Sequence, residues 1–303
     1  MASSASNETG LEPTRPWSLA ADGWADFASA KVYPGQMVLS YHGGCTTNFV
    51  FTNTNGTRVF VGTAAHCAAT KQDADTSQLE VDPCALIDPP ETEPERRQVF
   101  FGNNLTWNDP AVADAVGHYV YNSWWQMYGN ETDTAACAWN DFALIEVNPQ
   151  YLWFVNPSLE SWGGPTGLHG HLDPTGDNAQ IYTVGGTWMR DTSETAVGTP
   201  FNPLYFTRPR TGVAMPVYDL QFAGKEWSFN GYFDAGCIPG DSGSPVLFED
   251  GTAIGVVIAV TGKAARCSIS YLDVMVQYAI DKTGLDLVLH TGTQQFTGGI
   301  YPI

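Results

Sequence analysis

Short apolar runs bounded by turn residues dominate this chain, and the pattern predicts a fold built mainly from β-strands. Residues 36–41 form the first run. Two more, Phe49–Thr52 and Arg58–Gly62, flank the tetrapeptide 53–56. This tetrapeptide ends in Asn-Gly, a pair that tolerates positive φ, so the segment predicts a β-hairpin.

The second half of the chain continues the pattern and then changes to a helical one. Ile181–Gly186 and Asn230–Phe233 are typical of strands, and the β-branched run Ala253–Val260 predicts a buried strand. Residues 271–282 predict a C-terminal helix. The tail from Gly284 onward predicts an extra strand or a segment wrapped on the body.

The composition limits the possible partners. The 303 residues are enough for two modest β-barrels, and 32 acidic against 13 basic residues give a net charge of −19. Such a surface repels nucleic acid and anionic membranes, so neither is expected as a partner. No apolar stretch approaches the roughly 18 residues of a transmembrane helix.

The cysteines indicate an oxidising compartment. Six cysteines suit three disulfides, although many pairings are possible, and none has a metal-ligand spacing, so no metal is expected. Disulfides predict secretion, with which the sequons at Asn7, Asn55, Asn104 and Asn130 agree. The first fifteen residues lack the apolar core of a signal peptide, so we expect that such a signal was removed.

Three motifs carry candidate chemistry. Gly240–Pro245 reads GDSGSP, Thr63–Cys67 reads TAAHC, and Asn140–Ile145 reads NDFALI. A serine hydroxyl needs a nearby base to become a nucleophile, and histidine suits that task near neutral pH. The histidine in turn needs a carboxylate that fixes its tautomer.

Each motif alone fits a plainer interpretation, namely a turn, a core histidine or a helix cap. Together they place His66, Asp141 and Ser242 in the order His-Asp-Ser. Subtilisins and α/β-hydrolases have other orders. The combination therefore favours a catalytic triad over three coincidences.

The three motifs resemble those of the chymotrypsin/trypsin family of serine proteases. The resemblance covers about residues 36–285 and implies an all-β fold of two six-stranded antiparallel Greek-key β-barrels with a C-terminal helix. The implied organisation is an N-terminal extension, a first barrel with an inserted loop, a second barrel with the helix, and a tail. Their expected bounds are 1–35, 36–160 with the loop at about 71–139, 161–285 and 286–303.

The resemblance also implies a role for each matching residue. Ser242 would be the nucleophile, His66 the general base and then acid, and Asp141 the orienting carboxylate. The backbone N–H groups of Gly240 and Ser242 would form the oxyanion hole, where a residue without Cβ allows the necessary sharp turn. No cofactor is implied.

Disulfide pairs follow from the resemblance as well. It favours Cys45–Cys67 beside the catalytic histidine and Cys237–Cys267 beside the specificity pocket. This leaves Cys84–Cys137 to hold the inserted loop.

The specificity pocket remains open between two alternatives. Ala235 and Gly236 at its floor would give an uncharged pocket for apolar or small P1 side chains, which we prefer. Asp234 there would instead select Arg or Lys. The backbone of Ile258, Ala259 and Val260 would pair with an extended substrate.

Several departures from the family pattern give further expectations. No Ile-Val-Gly-Gly-like N-terminus precedes Cys45 at the usual distance, so we expect Arg266 or Arg210 to hold Asp241 without activation by cleavage. The serine that usually supports the catalytic carboxylate is absent or shifted. Asp88–Glu95 is expected to be an exposed acidic loop.

The combined prediction is a secreted, monomeric serine endopeptidase that acts on proteins or peptides. The alternative is a catalytically silent homologue that binds proteins.

Overall fold

The chain folds into two antiparallel β-units and a C-terminal helix, which confirms the predicted fold class. The structure is a computed structural model, and it describes residues 16–69, 82–101, 115–170, 179–187, 209–216, 226–260 and 266–299. The first fifteen residues of the expected extension, the sequon at Asn104 and the end of the tail at 300–303 lie outside the described residues.

The first unit is an eight-stranded sheet. Its strands are β1 (Met37–Ser40), β2 (Gly44–Thr46), β3 (Val50–Asn53), β4 (Val59–Thr63), β5 (Gln98–Phe101), β6 (Gly117–Asn122), β7 (Ala143–Val147) and β14 (Leu287–Leu289). The hydrogen-bonded order is β14-β3-β4-β7-β6-β5-β1-β2. The hairpin predicted at Asn-Gly joins β3 to β4, with Gly56 at φ 65°.

The second unit is a closed six-stranded barrel. Its strands are β8 (Gln180–Val184), β9 (Pro209–Met215), β10 (Ser228–Phe233), β11 (Pro245–Phe248), β12 (Ala253–Val260) and β13 (Arg266–Tyr271). They follow the order β10-β13-β12-β11-β8-β9. Apolar side chains such as Phe229, Val246 and Ile269 fill its interior.

The two units share one strand order. If β2 and β3 count as one bent strand, the first unit has the sequence of neighbours found around the second barrel. This bend, together with the additional β14, explains why eight strands are found where six were expected. The bend falls directly after Thr46, the last residue of β2.

Four α-helices accompany the sheets in the described part of the chain. They are α1 (Leu19–Asp22), α2 (Ser123–Met127), α3 (Thr134–Trp139) and α4 (Leu272–Thr283). The predicted C-terminal helix is α4, which ends at Gly284 in the left-handed conformation that glycine readily adopts. With 12 residues, α4 is the longest of them and is too short to cross a bilayer.

The segment 71–139 is more than an inserted loop. It contributes β5 and β6 to the first sheet and also contains α2 and α3. Weak alternation in these strands hid them from the sequence pattern. The disulfide Cys84–Cys137 connects α3 to the turn Pro83–Leu86.

The expectation that residues 88–95 form an exposed acidic loop is wrong for two of its carboxylates. Asp88 and Glu91 are buried. Glu91 Oε2 lies 3.0 Å from His42 Nε2, and Arg97 Nε donates to the backbone oxygen of Glu91 at 2.8 Å. Such partners offset the cost of burying a charge, but they lie outside the local sequence that suggested exposure.

An apolar cluster joins the two units. It combines side chains of the first sheet, such as Phe60 and Phe142, with Val184 and Leu247 of the barrel and with Met275 of α4. Burying this surface holds the units together, so residues on both sides of the junction keep a fixed relative position.

The tail crosses the same junction. After β14 pairs with β3, Gln294 O accepts a hydrogen bond from Gly164 N at 3.0 Å, and Thr297 N donates to Trp162 O at 2.9 Å. The tail is therefore both an added strand and a wrapping segment.

Candidate active site

His66 lies on a short 3-10 turn that directly follows β4. The turn, Ala65–Ala68, is held from two sides. Asn122 Nδ2 donates to Ala65 O at 2.8 Å, and the disulfide Cys45–Cys67 links the turn to β2. The imidazole remains 28% exposed, so a substrate can reach it.

Asp141 lies between α3 and β7 and contacts His66 twice. Its Oδ1 accepts from the His66 backbone N at 2.9 Å, and its Oδ2 lies 2.6 Å from His66 Nδ1. The carboxylate is only 7% exposed. This pair fixes the tautomer that leaves His66 Nε2 able to accept a proton.

The Ser123 hydroxyl fixes the backbone on both sides of Asp141. It donates to Asn140 O at 2.7 Å and accepts from Phe142 N at 3.1 Å. Among the described residues, no side-chain hydroxyl bonds the Asp141 carboxylate itself. Ser123 therefore supports Asp141 through the main chain.

The surroundings of His66 favour its protonated form. Burial lowers the pKa of His66, but the charge of Asp141 and its hydrogen bond together raise it by more. The net pKa lies above the ordinary value of 6.5. An imidazolium formed during a reaction would thus be stabilised by the adjacent carboxylate.

Ser242 lies on the loop between β10 and β11 and faces the turn that carries His66. A Cβ on the next residue, Gly243, would lie 3.0 Å from Ala64 N, so the two segments are in direct contact. The Ser242 hydroxyl forms no hydrogen bond with His66 in the described part of the chain. Such bonds are often long before substrate binds and shorten afterwards.

Two backbone N–H groups of this loop have no acceptor among the residues that the structure describes. Asp241 N and Ser244 N donate within the loop at 3.0 and 2.9 Å, and Gly243 N donates to Val257 O at 2.7 Å. Within the described ranges, Gly240 N and Ser242 N have no such partner. Two unengaged donors beside a serine are the arrangement that stabilises an oxyanion.

His66 and Asp141 thus belong to the first unit and Ser242 to the second, while both units share one strand order. This strand order matches the fold that the sequence resemblance implies. The Ser242 loop and the His66 turn meet at the junction of the two units.

The chain was compared with known protein families, curated proteins and solved structures. No protein-family profile and no curated protein matches the chain. Among solved structures, it is similar to Cellulomonas bogoriensis chymotrypsin, with 12% identity, 86% of this chain and 99% of that chain covered, and a TM-score of 0.46. It is also similar to Thermobifida fusca protease A, with 13% identity, 86% of this chain and 99% of that chain covered, and a TM-score of 0.43. An alpha-lytic protease homologue, N4, has 14% identity, the same two coverages and a TM-score of 0.46.

Asp241, the residue before Ser242, forms a fully buried ion pair. Arg210 Nη1, from β9, lies 3.3 Å from Asp241 Oδ2, and neither side chain is exposed. Of the two expected bases, Arg210 therefore makes the contact. A Cβ on Gly185 would overlap with Asp241 Oδ1 and lie 3.0 Å from Arg210 Nη2, so only a glycine leaves room beside this ion pair.

The expected pocket residues form the start of the loop between β10 and β11. Ala235 is fully buried and Gly236 is buried, whereas Asp234 is exposed and accepts from Ala235 N at 2.8 Å. An exposed carboxylate does not form a buried floor, so these positions favour an uncharged pocket.

The expected substrate-pairing strand is β12. Ile258 is 6% exposed, Ala259 is exposed, and the side chain of Val260 lies outside the described residues. β11 pairs with β12 as far as Val256. Beyond Val256, no strand in the described part of the chain pairs with β12 on the side that faces β11, whereas β13 remains paired on the other side.

The disulfides are Cys45–Cys67, Cys84–Cys137 and Cys237–Cys267, the same pairs that the resemblance implies. The one group of potential metal ligands in the described ranges is Cys45, His66 and Cys67. Its two sulfurs are bonded to each other, so they offer no thiolate to a metal.

Sequence reasoning missed three residues that shape the site: Thr46, Asn122 and Ser123. Each acts through a hydrogen bond to a segment distant in sequence. The sequence around a single Ser, Thr or Asn does not indicate a partner in a distant segment. The one signal near these residues was Cys45, which precedes Thr46 and was predicted to lie beside the site.

Proposed function

We propose that this protein is a serine endopeptidase that cleaves peptide bonds through a Ser242 acyl-enzyme. The observation that carries the proposal is the 2.6 Å contact between His66 Nδ1 and Asp141 Oδ2, in a turn packed against the Ser242 loop. The two unengaged N–H groups beside Ser242 supply the remaining element. Together they provide nucleophile, base, orienting carboxylate and oxyanion donors in one cleft.

The reaction proceeds in two halves. His66 Nε2 removes the Ser242 Oγ proton while the oxygen attacks the substrate carbonyl, and the resulting oxyanion is stabilised by Gly240 N–H and Ser242 N–H. His66 then gives the proton to the leaving amine as the peptide C–N bond breaks. Water attacks the acyl-enzyme with the same base, which releases the acid and restores Ser242.

The substrate is proposed to bind as an extended peptide along β12. The backbone of residues 258–260 presents an edge with which a strand can pair without particular side chains. The buried Ala235 and Gly236 favour an apolar or small P1 side chain. A charged floor is disfavoured because Asp234 is exposed.

We propose further that activation requires no N-terminal cleavage. The Arg210–Asp241 pair supplies from within the barrel a buried cation for Asp241. The three disulfides support a secreted protein, and a monomer with protein or peptide substrates is the simplest form of this proposal.

A fluorophosphonate probe tests the proposal directly. We expect stoichiometric labelling of the wild-type protein, with the modified peptide containing Ser242 when it is mapped by mass spectrometry, because only an activated serine reacts at an appreciable rate. Heat-denatured protein is the control and remains unlabelled. A folded wild-type protein that stays unlabelled and cleaves no casein or peptide library would instead support the silent binding homologue.

The pH profile provides a second test. His66 acts as a base only when neutral, so kcat/KM rises with pH, and the raised pKa of His66 places the midpoint of that rise above 6.5. By the same shift, the His66–Asp141 pair contributes stability below pH 6.5 that is lost as pH rises through the folded pKa. Initial rates between about pH 5 and pH 9 measure the midpoint. A midpoint at or below the ordinary value would contradict this electrostatic description.

A further inference from the structure

Thr46 lies at the bend between β2 and β3 and is fully buried. We propose that Thr46 is a positioning residue whose side-chain hydroxyl holds the oxyanion-binding loop in its active conformation. The inference rests on the proposed function, since it concerns the loop that carries Ser242. Thr46 itself touches neither substrate nor the reacting atoms.

Thr46 contacts both residues that supply oxyanion donors. Its Oγ1 donates to Gly240 O at 2.7 Å, and its backbone N donates to Ser242 O at 2.8 Å. The same Oγ1 accepts from Gly186 N at 3.0 Å. One residue of the first unit therefore fixes two carbonyl groups of a loop that belongs to the second.

The loop needs such an external contact because of its glycine. Gly240 has φ 90°, and glycine adopts positive and negative φ with similar ease, so the residue permits this conformation without selecting it. The peptide between Gly240 and Asp241 is held at both ends, by Asp241 N donating to Ile238 O at 3.0 Å and by Thr46 Oγ1. Holding that peptide fixes the carbonyl and the Cα of Gly240, and thus the position from which Gly240 N–H points into the cleft.

Thr46 is itself fixed relative to the base. Thr63 Oγ1, at the end of the strand that leads to His66, donates to Thr46 O at 2.8 Å. The path from the His66 turn to the oxyanion loop therefore runs through Thr46. Removing its hydroxyl leaves Gly240 O and Gly186 N without this buried partner, which favours a rearranged loop.

The test compares Thr46→Val, which keeps the volume and loses the hydroxyl, with Thr46→Ser, which keeps the hydroxyl. We expect kcat of Thr46→Val to fall about 10–100-fold, less than the roughly 100–1000-fold cost of deleting a donor, with KM within about threefold. Thr46→Ser stays within about threefold of wild type in both constants.

An inhibitor pair separates positioning from general damage. A peptide aldehyde forms a hemiacetal with Ser242 whose oxygen occupies the oxyanion site, so its affinity falls in parallel with kcat in Thr46→Val. A peptide amide that ends at the residue before P1, and therefore reaches the extended binding edge but not the oxyanion site, keeps its affinity. A merely structural role would lower both affinities or neither.

Thr47→Val is the matched control. Thr47 is also fully buried, and its Oγ1 accepts from Gln36 N and donates to Tyr33 O, each at 3.0 Å. The same chemical change one residue away thus reaches the N-terminal segment and not the loop. We expect lower thermal stability with kcat within about threefold of wild type.

The outcomes are distinct. A wild-type kcat in Thr46→Val, or an equal loss in Thr46→Ser or Thr47→Val, would overturn the positioning role while leaving the protease intact. A wild-type protein that neither cleaves peptides nor reacts with the probe would overturn both proposals. If Thr46→Val does not fold, Thr46→Ala is measured in the same assays, and failure of both to fold would assign Thr46 to stability alone.

Discussion

Replacing Ser242 with alanine is expected to lower kcat by roughly 10⁴- to 10⁶-fold, the largest effect of any single change in this protein. The substitution removes the only atom that can form the acyl-enzyme while leaving the backbone donors in place. Ser242 is partly exposed and its hydroxyl forms no hydrogen bond in the described part of the chain, so the fold should not weaken. Thermal unfolding of the variant should therefore match that of the wild type.

Ser244→Ala is the matched control for Ser242→Ala. Ser244 lies two residues away in the same loop, is fully buried, and has a hydroxyl without a hydrogen-bond partner among the described residues. In the variant, the backbone N of residue 244 still donates to Asp241 O, and its backbone O still accepts from Val257 N. We expect kcat within about threefold of wild type. Peptidase activity that survives in Ser242→Ala, or disappears only in Ser244→Ala, would show that the nucleophile is misassigned.

Replacing Arg210 with methionine is expected to destabilise the protein by about 3–5 kcal/mol and to remove most of its activity. The change leaves the fully buried Asp241 carboxylate without its ion pair, and that charge cannot reach water without moving the loop. Asp241 Oδ2 also accepts from Ile238 N at 2.9 Å, so the loop at the oxyanion site moves with it. Chemical denaturation and probe labelling measure the two effects.

Two variants make the Arg210 result specific. Arg58→Met breaks an ion pair with Glu146 in which Arg58 is 41% exposed, and it should cost only about 0–1 kcal/mol with unchanged labelling. The double variant Arg210→Met with Asp241→Asn removes both buried charges and should recover much of the lost stability. Equal losses in Arg58→Met and Arg210→Met would contradict the proposed role of the buried pair.

The sequence predicted those parts of the molecule that local signals describe. The hairpin at Asn-Gly, the strand at Ala253–Val260 and the helix before Gly284 each depend on neighbouring residues, and all three are present. The predicted burial of that strand holds for Ala253 to Ile258, whereas Ala259 is exposed. The three motifs gave His66, Asp141 and Ser242 because nucleophilic catalysis restricts residue types at adjacent positions.

Features set by distant partners could not be predicted in this way. The burial of Glu91 depends on His42, 49 residues away, so its own acidic neighbours suggested exposure instead. Thr46 and Ser123 bond to backbone atoms of other segments. Every residue has these backbone atoms, so the sequence of those segments does not indicate the contact. Whether Arg210 or Arg266 pairs with Asp241 likewise depends on how the strands of the barrel are arranged in space.

The pairing of β14 with β3 also determines when the first sheet can be completed during synthesis of the chain. Thr52 of β3 and His290, which share a hydrogen bond, are separated by 238 residues, so the edge of the first sheet stays uncovered until β14 has been synthesised. An open strand edge is a template for pairing with other chains. The nascent polypeptide therefore carries this exposed edge until β14 emerges from the ribosome, and a truncation before β14 would leave the edge exposed permanently.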